Sequence, residues 1–446
     1  MKKTLETQTT RRCFLKSAGL GAAAIIATRS AAWSEPAQAK LPNLVFILAD
    51  DLGYGDLGCY GQKLIQTPQL DALCAKGLKL TRFHAGFPVC LPARCTLMTG
   101  LHTGHCRTNK NGGGGKHPML KTEDTTIATV LKTAGYTTAM VGKWSLGDHF
   151  IGCVNKSQNK DGSGAIYKHG WDYYFGEPNQ TYCHKYYPNQ LYRYDRTGLV
   201  DKKTNGARLD VVPLPGNSKT RKHYTHDLLT NKAIEFIDAA KDKPFFLYLP
   251  YTIPHADYDV PEIEPYAKAT NWSKKEKAVA SMITRMDRDV GRIAKRLAAH
   301  GLDKNTLIIF TSDNGPNKFP RFNSNGGLEG GKGKFTLGGL RVPGIAYWPG
   351  TIAPGRTSDH LSAFWDIMPT FAKLARVKPP TPIDGISMLP TLLNKGVQKK
   401  HDYLYFGAGK NRLIIRSENE KRSETEILKE AVTPVVVPKF TAKKGN

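Results

Sequence analysis

The 446-residue chain is short of acid: 38 Asp and Glu stand against 64 Lys and Arg, a formal net charge of +26. A surplus of that size points to nucleic acid, a membrane surface or an acidic substrate. The positives are scattered, with no long Lys/Arg block and no nucleic-acid-binding module, so an anionic substrate is the preferred reading and nucleic acid is not. A basic surface without a specific partner is the bland alternative. Internal repeats are lacking, and no apolar run is long enough for a stable membrane anchor. Cysteine is sparse, eight residues, and none lies in a Cys-x-x-Cys zinc pattern.

What remains is ordinary for a soluble globular protein: 40% hydrophobic and 23% charged residues. The length supports one large α/β domain with a smaller appendage, or two to three domains. Residues 1–39 read as an export leader. Arg11-Arg12-Cys13-Phe14-Leu15-Lys16 precedes a short, weakly apolar run from Ser17 to Thr28, and Ala37-Gln38-Ala39 offers a cleavage site. The paired arginines resemble a bacterial twin-arginine signal, which implies the twin-arginine export machinery as a partner and a periplasmic or secreted product. Removing six basic and two acidic residues with that leader leaves +22. Seven cysteines then remain, an odd number, so at least one stays unpaired.

Strand-like and helix-like stretches alternate. Asn43–Ala49 is a continuous apolar run suited to a strand buried on both faces. Helices are expected over Thr67–Lys76, from about Cys90, and over Thr126–Ala134, Leu228–Ala240, Lys274–His300 and Asp366–Ala375. Strands are expected over Thr137–Val141, Phe245–Leu249, Thr306–Phe310 and Gly344–Trp348. Gly112–Gly115 lacks the Gly-Lys-Ser/Thr of a phosphate loop and reads as a flexible loop. Residues 150–225, rich in Tyr, Asn and Gly, read as an irregular excursion over the top of the sheet. The alternation predicts a mixed or parallel sheet covered on both faces. In such sheets ligands sit at the carboxyl ends of strands, and Asp50/Asp51, Lys143, His255 and Asp313/Asn314 all follow strand-like runs.

One stretch concentrates the chemistry: Cys90-Leu91-Pro92-Ala93-Arg94, followed by Thr96-Leu97-Met98-Thr99-Gly100. Pro92 suits the first turn of a helix. Cys90 would then lie just before a helix N-terminus, where free N–H groups favour an anion. The bland alternative is a buried structural cysteine. Asp50, Asp51, Asp313 and Asn314 add hard oxygen donors suited to Ca²⁺ or Mg²⁺, although Asp-Asp-Leu-Gly and Ser-Asp-Asn-Gly can each be simple turns.

Taken together these motifs resemble type I sulfatases, the arylsulfatase-like branch of the alkaline-phosphatase-like superfamily, from about Leu41 to about Tyr405. The resemblance implies that Cys90 is oxidised to formylglycine by a formylglycine-generating enzyme. It implies Asp50, Asp51, Cys90, Asp313 and Asn314 as the metal site. Gly142-Lys143-Trp144-Ser145-Leu146-Gly147, the strand-end His255, and Gly331-Lys332-Gly333 with Gly338-Gly339-Leu340-Arg341 resemble further family motifs. Asn179-Gln180-Thr181-Tyr182-Cys183-His184 resembles a segment of one bacterial branch. The implied reaction is hydrolysis of a sulfated carbohydrate or aryl sulfate. A formylglycine hydrate, polarised by metal and Arg94, attacks sulfur; Lys143 and Lys332 offset the anionic charge. His255, helped by Lys332, protonates the leaving oxygen, and deprotonation of the second hydroxyl expels sulfate.

Two departures stand out. Ser145 occupies the place of a histidine that aids the last step in many members, and we assign that task to His184 from the tyrosine-rich excursion. Leu337 likewise replaces a usual glutamate. Beyond Gly409 the family's C-terminal strands are not recognisable, and Ser417–Lys429 reads as a disordered segment or a lone helix. The organisation expected is a leader over 1–39, a catalytic domain over 40–390, and a partial C-terminal subdomain with a divergent tail over 391–446. The rival readings are a phosphodiesterase or phosphonate hydrolase on the same fold, and a catalytically impaired binder of sulfated glycans.

Overall fold

The computed structural model describes residues 40–111, 120–147, 162–418 and 421–435. The leader, the Gly112–Gly115 loop and Cys153 lie outside the described residues. Asn43–Ala49 is the central strand, and every residue in it is buried. Its side chains alternate between two apolar clusters. Leu44, Phe46 and Leu48 meet the helices Cys90–Thr99, Ile127–Thr133 and Ile367–Leu374 on one face. Val45, Ile47 and Ala49 meet Pro68–Ala75, Thr225–Ala240 and Lys274–Ala299 on the other. Two buried faces explain why the strand is apolar throughout rather than at every second position. Each fully buried aliphatic side chain contributes about 1.5–3 kcal/mol, so two-sided burial concentrates the domain's stability at its centre.

Among the described residues the sheet has ten strands. Thr306–Ser312, Asn43–Ala49, Phe245–Pro250 and Thr137–Val141 lie side by side and parallel at its middle. Gly344–Tyr347 joins the Thr306–Ser312 side antiparallel, and Leu78–Leu80 and Arg356–Ser358 complete that edge. The long helix Lys274–Ala299 begins with a capping box in which Ser273 and Glu276 satisfy each other's backbone N–H groups.

Within the excursion expected between residues 150 and 225, three short strands extend the sheet. Tyr173–Gly176 pairs parallel with Thr137–Val141, and Gln190–Asp195 and Asp210–Pro213 extend that edge antiparallel. The strands are short and separated by Gly- and Asn-rich turns, which hid their period. The buried Tyr173-Tyr174-Phe175 run was the legible signal, since aromatics favour strands.

The C-terminus also differs from expectation. Tyr403–Ala408 and Asn411–Arg416 form an antiparallel hairpin. A helix, Glu424–Ala431, follows with its own capping box at Ser423 and Glu426. Leu404 and Phe406 pack with Leu340, Leu361 and Trp365, and Ile427 and Ala431 are buried. The helix lies so close to Gly104 that a Cβ there would stand 1.8 Å from the Ala431 carbonyl oxygen. Of the two alternatives for the charged stretch, the helix holds from Glu424 on, and its two buried positions, Ile427 and Ala431, lie four residues apart on one face.

Candidate active site

The four parallel strands end together, and the loops leaving them are stitched by backbone hydrogen bonds. Asp50 N donates to Ile253 O (3.1 Å), Lys143 N to Pro250 O (2.9 Å), and Asp313 N to Ala49 O (3.0 Å). Gly142 is required by this closeness: its φ is +137°, and a Cβ would fall 2.0 Å from the Pro250 carbonyl oxygen. Asp51 sits in the left-handed region at φ 68°, a conformation Asp tolerates better than most residues. Its amide donates to Asp313 Oδ1 at 3.2 Å.

Cys90 is the first residue of a ten-residue helix rather than its predecessor, with Val89 as the N-cap. One turn on, Arg94 shares its face. The Cys90 thiol donates to Asp50 Oδ1 at 3.3 Å. Arg94 donates through Nε and Nη2 to Asp313 Oδ2 (3.1 and 2.8 Å), through Nη2 to Asp50 Oδ2 (3.3 Å) and through Nη1 to the Lys143 carbonyl (3.2 Å). Both side chains are completely or almost completely buried.

Two lysine–histidine pairs flank the thiol. Lys143 Nζ donates to Asp50 Oδ2 at 2.7 Å and to His184 Nε2 at 2.9 Å. Lys332 Nζ donates to Asp51 Oδ2 at 2.6 Å and to His255 Nε2 at 2.8 Å. The two imidazoles stack with centroids 3.5 Å apart and planes 3° from parallel. His255 Nδ1 faces the Ala256 carbonyl at 3.1 Å. A carbonyl can only accept, so Nδ1 carries a proton, and Nε2 is the atom that accepts from Lys332.

Charge decides the protonation states. Burial works against the Asp50 carboxylate, but Lys143, His255, His184 and Arg94 outweigh it and hold the carboxyl well below its ordinary range. Burial likewise opposes the Lys143 ammonium, and Asp50 holds it above its usual range. Burial and then the Lys143 charge push His184 well below an ordinary imidazole, so it is neutral near pH 7. Burial, then Asp313 and Asp50, raise the Cys90 thiol far above its ordinary value. Burial and the two carboxylates thus oppose the anion that the helix N-terminus was expected to favour there. Unmodified, Cys90 is a protonated thiol and a poor nucleophile.

Could the site hold a cation? Ligand atoms of Asp50, Asp51, Cys90 and His255 lie within 4.8 Å of one another. Asn314 Oδ1 is buried without a hydrogen-bond partner, while its Nδ2 donates to Asp51 Oδ1 at 2.8 Å. An orphaned amide oxygen beside three buried carboxylates fits a hard, oxygen-seeking ion. Burial and the Asp50 charge raise Asp313, a penalty that a bound cation would relieve. Asp50, Asp51 and Asp313 are already met by Arg94, Lys143 and Lys332, so a divalent ion would leave the centre positive and attractive to an anion.

Asp50, Asp51, Cys90, Arg94, Lys143, His184, His255, Asp313, Asn314 and Lys332 lie together here, whereas Arg341 donates to the Thr81 carbonyl and Leu337 is exposed. Ser145 is buried at φ 66°, its Oγ without a partner. Asn317 was missed: its Nδ2 donates to Asp51 Oδ2 at 2.8 Å. It lies three residues after Asn314 in a loop with no period or motif, so the sequence carried no signal for it.

A phosphatase-like sheet with a cysteine, cations and hard oxygen donors at its carboxyl edge defines an esterase of anionic esters. Comparison with known proteins makes the class specific. Residues 42–377 match the Sulfatase family model. Mouse N-acetylgalactosamine-6-sulfatase is 33% identical over 386 residues, covering 82% of this chain and 69% of that protein. Human arylsulfatase A is 33% identical over 396 residues, covering 83% and 71%. The solved structure of Ps i-CgsB in complex with k-i-k-neocarrahexaose superposes with a TM-score of 0.65 at 28% identity, covering 88% of this chain and 90% of that one. The chain belongs to the sulfatase family, has its alkaline-phosphatase-like fold, and is a sulfuric ester hydrolase.

Proposed function

We propose that this protein hydrolyses sulfate esters of saccharides, using a formylglycine made from Cys90 and a bound Ca²⁺ or Mg²⁺. The observation that carries the reading is the pair of Lys–His–Asp sets, Lys143–His184–Asp50 and Lys332–His255–Asp51, meeting at one buried cysteine. The saccharide preference rests on relatives: one is named for N-acetylgalactosamine-6-sulfate, and another is solved with k-i-k-neocarrahexaose.

Asp50, Asp51, Asp313 and Asn314 would hold the cation, with residue 90 beside it. When bound, it supplies Lewis-acid polarisation of the sulfate and nucleophile oxygens. The hydrate of formylglycine supplies the attacking hydroxyl. Arg94 fixes Asp313 and Asp50, and Lys143 and Lys332 face the sulfate charge. As the bond between sulfur and the ester oxygen breaks, the Lys332 ammonium passes a proton to Nε2 of His255, and the imidazolium delivers it from Nε2 to that oxygen. Neutral His184 takes the proton whose removal from residue 90 releases sulfate, the task Ser145 cannot perform near neutral pH.

The formylglycine requires a formylglycine-generating enzyme as a partner, and residues 1–39 would direct twin-arginine export to the periplasm or beyond. Among the described residues no helix is long and apolar enough to cross a membrane. Residues 40–390 form the catalytic part and 391–446 the C-terminal appendage, whose hairpin packs beside Leu340. The test is turnover of a hexosamine 6-sulfate and of an aryl sulfate against an aryl phosphodiester. Faster release from the sulfates is expected; preference for the diester overturns the reading in favour of a phosphodiesterase.

A further inference from the structure

Beside Lys332 the site opens into a cleft of about 650 Å³, lined among others by Asn317, Lys318, Phe319, Asn323 and Lys334. Its lining contains three lysines and no carboxylate. Lys332 is engaged with Asp51 and His255. Lys318 and Lys334 are exposed, and neither makes an ion pair among the described residues. Neighbouring cations differ: Arg321 on the same loop pairs with Glu276 at 2.9 Å, and Arg221 pairs with Asp259 at 2.6 Å. Phe319 stands edge-on to Tyr258, centroids 5.1 Å apart, giving the cleft an apolar wall, while Asn323 and Asn325 bond to the backbone of Gly327, Leu328 and Gly330 and fix the loop that lines it. The backbone anchors the cleft to the reaction centre: Lys332 N donates to Pro316 O (2.9 Å) and Gly333 N to Pro88 O (2.7 Å).

We propose that this cleft is a second anion subsite, in which Lys318 and Lys334 bind a further negative group on the saccharide whose sulfate ester lies at residue 90. The inference rests on the sulfatase reading of the Cys90 site and narrows the substrate to saccharides carrying at least two anionic groups. Two unpaired ammonium groups in a cleft without acid attract an anion whose position along the sugar is fixed by the ester already held. The group is a second sulfate or a uronate carboxylate; lysine, a compact point charge, accepts either.

The experiment measures binding by calorimetry to protein with unconverted Cys90, and KM with the converted enzyme. The probes are a hexosamine 6-sulfate, a 2-N,6-O-disulfated glucosamine and a 6-sulfated hexosamine–uronate disaccharide. The wild type should bind at least one doubly charged probe about tenfold more tightly than the singly charged one. Lys318→Ala/Lys334→Ala should erase that advantage while leaving the singly charged probe and kcat within twofold, and Lys318→Arg/Lys334→Arg should keep it. Which doubly charged probe gains distinguishes sulfate from carboxylate. Equal affinity of the wild type for all three, or an equal loss on all three in the double Ala variant, overturns the subsite. Because binding is read without turnover, failure of sulfate release is separable from failure of the subsite.

Discussion

Replacing His184 by alanine isolates the step in which this chain departs most from its family's pattern. In the structure His184 Nε2 accepts from Lys143 at 2.9 Å and stands 3.5 Å from Asp50 Oδ2. Lys143 keeps its 2.7 Å contact with Asp50 when the ring is gone, so the charge balance beneath Cys90 survives. What is lost is a neutral base, and a positioned base contributes roughly 10²–10⁴ in rate, or about 3–5 kcal/mol of barrier. The loss falls after the alcohol has departed. The variant should therefore release the first equivalent of nitrophenol from an aryl sulfate at near the wild-type rate, then stall, with steady-state kcat down 10²–10⁴-fold. His184→Phe, which preserves a flat ring against His255 without a nitrogen, should behave alike. Stopped-flow absorbance separates burst from steady state. Unchanged turnover in His184→Ala alongside abolished turnover in His255→Ala would refute the assignment.

Arg94→Met removes every guanidinium contact to Asp313 and Asp50. Breaking a fully buried pair costs about 3–5 kcal/mol, so the urea midpoint should fall sharply together with activity; a midpoint equal to wild type contradicts the proposed role of that ion pair. Chelation with EDTA should lower the melting temperature and abolish sulfate release, and Ca²⁺ at a hundred times its Kd should restore about 2.7 kcal/mol; a melting temperature indifferent to both counts against the oxygen site. Asp56 is buried with Oδ1 unpartnered, and burial pushes its carboxyl up to about 7. Near pH 3 it is protonated folded or unfolded. Between about 4 and 7 only the unfolded chain releases the proton, so stability drains away as pH rises. Asp56→Asn, whose amide oxygen can still accept from Gly53 N, should thus gain on the wild type progressively from pH 4 to 7, by at most about 4 kcal/mol, as followed by thermal melts; a gap constant with pH excludes Asp56 as its source.

Much of this architecture was legible in the chain. Asn43–Ala49, Phe245–Pro250 and Thr306–Ser312 are apolar on both faces, so continuous runs marked them as central parallel strands. The reactive residues follow those runs directly, which is why Asp50, Lys143, His255 and Asp313 could be placed at one edge before any coordinates. The edge strands from Tyr173 to Pro213 were not legible, because short strands between turns carry too few residues for a period. Nor was the Asn411–Arg416 strand: its exposed, charged face resembles a solvated tail, and only pairing with Tyr403–Ala408 gives it a structure. The thiol's protonation lay beyond the sequence as well, since it depends on burial and on Asp313 and Asp50 arriving from strands far apart in the chain.

The central claim is that residue 90 acts as formylglycine. The most direct measurement is mass spectrometry of the Cys90 peptide after co-expression with a formylglycine-generating enzyme, set against sulfate release by the same preparation. The account predicts the aldehyde, with activity rising in proportion to its occupancy and absent in Cys90→Ala. An intact thiol in a preparation that turns over sulfate esters, or full conversion without any sulfate release, would contradict it.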